Sequence, residues 1–175
     1  MEFVQPIRSV EKLEHMKAVL RSWFLMVMGI NVGLRISDLL ALRVRDVQNR
    51  SHIVCREKKT GKKKRFPINA ELREIINEYI KGKRDDEPLF RSRKTGSNID
   101  RVQAYRILNR AAAEVGLAEI GTHTLRKTFG YHFYKRYKDV ALLQQIFNHS
   151  APSITMRYIG INQDIIDQAI SEFHL

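Results

Sequence analysis

Apolar residues recur at helical spacing along most of the chain. Behind Ser9, which can cap a helix, stand Val10, Leu13, Met16 and Leu20, with Glu11 near the positive end of the helix dipole. The next run, at about 21–31, is apolar nearly all round, which predicts a buried helix. A break at Gly33-Leu34 leads into another apolar stripe, Ile36, Leu39 and Leu40, over about 36–42. Between 52 and 68 the period changes. Short β-like runs, Ile53-Val54-Cys55 and Arg65-Phe66-Pro67-Ile68, flank a turn signalled by Thr60-Gly61, which predicts a basic hairpin.

Helical spacing returns in Leu72, Ile75, Ile76, Tyr79 and Ile80, followed by a polar loop at 81–87. A further helix is expected at about 102–115, stopped by Gly116. Thr122 is placed to cap a helix holding Leu125, Phe129 and Phe133, and Asp139 to cap one holding Leu142, Leu143, Ile146 and Phe147. A last amphipathic segment carries Ile161, Ile165, Ala169, Ile170 and Phe173. There is no internal repeat or low-complexity tract. The fold class is mainly α with a small antiparallel β-sheet, α+β, and 175 residues with 43% hydrophobic content suit a single domain over 1–175.

Charge narrows the choice of partner. Thirty-one Lys and Arg against nineteen Asp and Glu give a net charge of +12, an attractive field for polyanions, so nucleic acid is the first partner to consider. The single cysteine, Cys55, has no thiol to pair with and reads as a small strand residue in a reducing compartment. No signal-peptide core is present, and the longest apolar stretch, 23–30, is too short to span a bilayer. A soluble, cytoplasmic protein with no membrane partner is expected.

Candidate chemistry lies in polar residues scattered along these elements. Cleaving a phosphodiester without a metal requires a nucleophile, positive donors for the nonbridging oxygens and an acid for the leaving oxygen. Arg35, in Gly33-Leu34-Arg35-Ile36-Ser37-Asp38, stands where a helix begins, and its guanidinium suits a bidentate grip on phosphate. Asp38, a turn later, is placed to hold that guanidinium, although an ordinary surface salt bridge fits the same spacing. His123 and Arg126, in His123-Thr124-Leu125-Arg126, share one helix face. His149 and Tyr158 flank the turn Ser150-Ala151-Pro152, which can bring imidazole and phenol toward one centre. Taken singly, each residue also has an ordinary structural explanation. Lys59 precedes Thr60-Gly61 at the hairpin tip, among Lys58, Lys62, Lys63, Lys64 and Arg65. A solvated basic turn is one explanation; a hairpin in a nucleic-acid groove, with phosphates neutralised by these side chains, is favoured by the charge density.

Order and spacing together resemble one family. Arg35, Lys59 on a hairpin, His123 and Arg126, His149 and Tyr158 look like the catalytic set of the tyrosine recombinases, or phage integrases. Further likeness lies in the run Gly33 to Leu40, in Lys58-Lys59-Thr60-Gly61-Lys62 and in Thr122 to Arg126. The resemblance implies a catalytic domain in which the Tyr158 hydroxyl attacks a DNA phosphorus, giving a 3′-phosphotyrosyl bond and a free 5′-hydroxyl, with no metal and no cofactor. Arg35 and Arg126 would bind the nonbridging oxygens and His149 would donate to them. Lys59 would protonate the leaving oxygen, and His123 would assist proton transfer near the nucleophile.

It further implies double-stranded DNA as partner, a homo-tetramer on DNA with the free protein monomeric, and a bacterial or phage source. Family members usually carry a helical core-binding domain ahead of the catalytic domain, and that domain is expected to be absent from this chain. Two other functions remain open: a DNA-binding regulator that keeps the fold without strand exchange, and a type IB topoisomerase-like relaxing activity.

Overall fold

The computed structural model describes residues 4–19, 23–59, 61–118, 120–161, 167–168 and 170–173. Its elements run α1 (Val10–Val19), α2 (Trp23–Val32), α3 (Ile36–Leu39), a 3₁₀ turn (Val44–Asp46), β1 (His52–Arg56) and β2 (Lys63–Pro67). Then follow α4 (Ala70–Ile80), α5 (Arg101–Glu114), α6 (Thr124–Tyr137), α7 (Val140–Phe147) and α8 (Pro152–Ile159). Mostly helical, with one small antiparallel sheet, this is the architecture that the hydrophobic pattern predicts.

Ser9 caps α1 as expected, its hydroxyl accepting from the Lys12 amide at 3.1 Å. Leu13 and Met16 are buried, while Leu20 lies outside the described residues. In α2 the run from Phe24 to Gly29 is buried along with Val32, so this helix is the spine of the core. Each such apolar side chain contributes about 1.5–3 kcal/mol relative to exposure. The stripe Ile36, Leu39 and Leu40 is buried, but the helix is shorter than its expected span. The chain leaves it because Leu42 and Arg43 pair with the 88–89 segment: Leu89 donates to the Leu42 carbonyl at 2.9 Å, and Arg43 bridges Pro88.

The hairpin pairs Ile53 with Phe66 and Cys55 with Lys64. Ile53 and Phe66 turn into the core, while Val54 and Arg65 face out. Cys55 is half-buried, and burial, with Asp38 and Glu57 nearby, pushes its thiol up to about 11, so it is inert at neutral pH.

One local expectation is corrected. Thr122 does not cap α6. The helix begins at Thr124 with His123 at the N-cap, and the Thr122 hydroxyl instead accepts from Arg101 at 3.1 Å. It is the Thr124 hydroxyl that holds the preceding turn, accepting from the Gly121 amide at 3.0 Å. The expected turn at Ser150-Ala151-Pro152 leads into α8, a short helix. Pro152 starts it, and Gly160, at φ 72, ends it. By contrast, Asp139 caps α7 as expected, accepting from the Leu142 amide at 2.8 Å.

A second, smaller cluster of Leu143, Phe147, Ile159 and Ile161 joins α7 and α8 to α6, with Phe129, Phe133 and Tyr158 packed on it. Gly130 makes this possible. A Cβ there would fall 2.7 Å from Ile159 and 2.8 Å from the Phe147 ring. Of the final amphipathic segment, Ile161 is buried, Ile170 and Phe173 are exposed, and Ile165 and Ala169 lie outside the described residues. Among the described residues no helix is long and apolar enough to cross a membrane.

Candidate active site

Arg126 is the fixed point. It is 2% exposed on α6, and its Nη1 donates to the Gly33 carbonyl at 2.6 Å and its Nη2 to the Phe147 carbonyl at 3.0 Å. The guanidinium also lies 4.3 Å over the Phe147 ring. Gly33 reaches this position at φ 66, where a side chain would also collide with the Phe129 ring. One arginine therefore joins the end of α2, α6 and the end of α7. A guanidinium has five N–H donors, so these two bonds leave others for a ligand.

Tyr158, on α8, is drawn to the same place. Its hydroxyl lies 3.3 Å from Nδ1 of His123, and its ring meets those of Phe147 and His149 edge-on. Burial pushes the phenol up to about 12, against the pull of Arg126 and Arg35. At neutral pH it is a protonated phenol in a positive field. His123 is held below the ordinary imidazole value by burial and by Arg101, Lys127 and Arg126, and is therefore neutral. Lys127 lies 5.3 Å over the Tyr158 ring and donates to the Val4 carbonyl at 2.6 Å.

His149 follows the left-handed Asn148, which ends α7. Burial, then Arg126 and Arg35, lower its imidazole to about 4. Nδ1 of the ring lies 3.0 Å from the hydroxyl of Thr155, a fully buried residue of α8.

Arg35 approaches from the other side, at the N-cap of α3. Its charge acts on Arg126, Tyr158, His123 and His149 alike. Here the expected partner is corrected: Arg35 pairs with Glu57, whose Oε1 lies 2.5 Å from Nη1. Arg35 has extended backbone angles, so the i,i+3 geometry that would have brought Asp38 to it does not arise. Asp38 is buried instead against the hairpin, accepting from the Lys58 amide at 3.0 Å.

The hairpin cations divide into two groups. Lys58, Lys59 and Lys63 are exposed, as is Arg65, whose Nη2 lies 3.1 Å from His52 Nδ1. Lys62, itself exposed, and the half-buried Lys64 clip the hairpin to the end of α7. Lys62 donates to Asn148 Oδ1 at 2.9 Å, and Lys64 to the carbonyls of Gln145 at 2.8 Å and Ile146 at 3.2 Å. Burial, together with Arg126, Lys62 and Arg35, lowers Lys64 below the ordinary lysine value.

Arg35, His123, Arg126, His149 and Tyr158 thus share one centre, and Lys59 is exposed on the hairpin turn. Glu57 and Thr155 are parts of the site that no sequence motif marked. Among the described residues no group of His, Cys, Asp and Glu is arranged to hold a metal ion.

Known proteins share this arrangement of the chain. Residues 7–164 match the phage integrase family. The chain is 55% identical to the probable integrase/recombinase YoeC of Bacillus subtilis strain 168, over 99% of its own length and 98% of that protein. Its fold matches the crystal structure of XerA recombinase with a TM-score of 0.75 at 20% identity, covering 96% of this chain and 64% of XerA. It also matches the catalytic domain of bacteriophage HP1 integrase, with a TM-score of 0.67 at 21% identity, covering 97% of this chain and 95% of that domain.

Proposed function

The chain belongs to the phage integrase family, and on that premise we propose that it is a site-specific recombinase of double-stranded DNA acting through a 3′-phosphotyrosyl intermediate. The carrying observation is the phenol of Tyr158 set 3.3 Å from a neutral imidazole within the field of two arginines. Tyr158 Oη attacks phosphorus as its proton passes to His123. The bond from phosphorus to the 5′ oxygen breaks, and that oxygen takes a proton from Lys59.

Arg35 and Arg126 bind the nonbridging oxygens, where charge grows in the transition state. His149 adds a donor. With the Thr155 hydroxyl donating to Nδ1, its Nε2 carries the hydrogen. The exposed Lys58, Lys63 and Arg65 meet backbone phosphates, while Lys62 and Lys64 position the hairpin. A tetramer bridging two sites exchanges the strands, and the exposed Ile170 and Phe173 are apolar enough to dock on a neighbouring protomer.

A pool of randomised duplexes nicked near their centres tests this whatever the target sequence is. DNA that stays with the protein under denaturing conditions is recovered and sequenced. Wild type should capture one sequence family, in EDTA as well as without it, and Tyr158→Phe none. Capture by Tyr158→Phe would mean another nucleophile, and absence of capture by wild type would favour a DNA-binding regulator. Supercoil relaxation with no Holliday junction between two recovered sites would favour topoisomerase-like action.

A further inference from the structure

Glu57 is fully buried beneath the hairpin turn, with its carboxyl group paired to the guanidinium of Arg35. Its backbone closes the turn that carries Lys59. The Glu57 amide donates to the Lys62 carbonyl at 3.0 Å, and its carbonyl accepts from Gly61 at 2.8 Å. Its side chain reaches Arg35, far away in sequence, at 2.5 Å. The neighbouring Lys58 amide is anchored on Asp38 at 3.0 Å, so the base of the turn is fixed to α3 at two points. A buried ion pair is weak evidence for stability, since well-packed apolar residues often do as well in its place. Its value here is geometric.

We infer that Glu57 is a positioning residue: its carboxylate holds one nitrogen of Arg35 so that the remaining N–H donors face the scissile phosphate, and it sets the Lys59 turn against that same guanidinium. Glu57 takes this role given the phosphate-binding role proposed above for Arg35. A free arginine side chain would have to be ordered anew in each transition state, and misplacement on the scale of an ångström costs about a hundredfold in rate.

Two measurements test it. The first is single-turnover adduct formation on a duplex recovered by covalent capture, with Glu57→Gln, Arg35→Ala and the double variant. Glu57→Gln should be slower by roughly ten- to a hundredfold with DNA affinity nearly unchanged, and the double variant no slower than Arg35→Ala. A wild-type rate for Glu57→Gln, or losses that multiply in the double variant, would overturn the assignment.

The second is nitrogen NMR of the Arg35 guanidinium in the free protein. Pairing should slow rotation about its Nε–Cζ bond and keep the Nη signals separate in wild type, and Glu57→Gln should merge them. Merged signals in wild type, or no change in the variant, would equally overturn it. Since this readout needs no DNA, a wild type that forms no adduct would sink the recombinase reading while the ion pair is still judged by its own signal. If Glu57→Gln does not melt cooperatively, Glu57→Asp keeps the charge but withdraws it by one methylene. It should then be slow while folded, and a wild-type rate there would count against positioning.

Discussion

The Tyr158 hydroxyl and Nδ1 of His123 lie 3.3 Å apart, although 35 positions separate them in the chain. The phenol, pushed up to about 12, keeps its proton at neutral pH, while the imidazole is held neutral and able to accept it. Removing that acceptor with His123→Ala should slow adduct formation by roughly 10²–10⁴-fold, the range typical of a lost general base. Quenched time points on a denaturing gel measure this directly. A loss much smaller than that range would assign the proton to water.

Acid should weaken the fold through His149. An ordinary imidazole titrates at 6.5, but in the folded chain this one is lowered to about 4. Between those values the unfolded chain takes up a proton that the folded chain refuses. The stability from its neutral form is therefore complete above about pH 6.5 and is lost as the pH falls toward about 4. Melting temperatures across that window should fall with acid in wild type and fall less steeply in His149→Asn. Parallel profiles would mean that His149 is not the group responsible.

Lys64 holds the hairpin to α7 through the Gln145 and Ile146 carbonyls, an arrangement in which a cation completes the negative end of a helix. Such contacts are worth about 0.3–1 kcal/mol, and up to about 2 when partly buried. Lys64→Ala should cost that much and raise amide hydrogen exchange at 145–149 and in β2, with DNA affinity reduced little. Unaltered exchange would show that the clip does not hold the two elements together.

How much of this was readable from sequence follows the range of the forces involved. Most of the helices, the hairpin and the caps at Ser9 and Asp139 depend on periodicity and on contacts a few residues long, and those were visible. Arg35, His123, Arg126, His149 and Tyr158 could be picked out as candidates because their order and spacing resemble one family, and the structure brings them to one centre. Glu57 could not. It looks like one more charge in a charged turn, and only the tertiary placement of the turn against α3 buries it on Arg35. Thr155 was hidden for the same reason, inside a helix too short to show its period. Lys62 and Lys64 resembled the other hairpin cations because nothing local shows that the end of α7 lies beside β2.

The tail offers a test of assembly. Ile170 and Phe173 are 69% and 72% exposed, whereas Ile161 is buried in the smaller cluster. Replacing both exposed residues by Ser should leave the melting temperature of the free protein nearly unchanged, since exposed substitutions usually stay within about 0.5 kcal/mol. Cooperative binding to two adjoining sites should weaken. Gel shifts and sedimentation on DNA measure this, and unchanged cooperativity would leave the stripe without a role between protomers.

Lys59 is exposed on the hairpin turn, beside Glu57 and Lys58, which hold that turn to α3. As the acid for the leaving 5′ oxygen it would act from a turn fixed at its base by Glu57 and Lys58. Lys59→Ala should then slow cleavage of ordinary DNA by roughly 10²–10⁴-fold while binding hardly changes. A duplex with sulfur in place of the bridging 5′ oxygen has a leaving group that needs no proton, so it should restore the Lys59→Ala variant. The same duplex should leave Arg126→Ala slow, because that arginine acts on the nonbridging oxygens. If sulfur fails to rescue Lys59→Ala yet rescues His123→Ala, the acid is His123, and the hairpin lysine serves to bind.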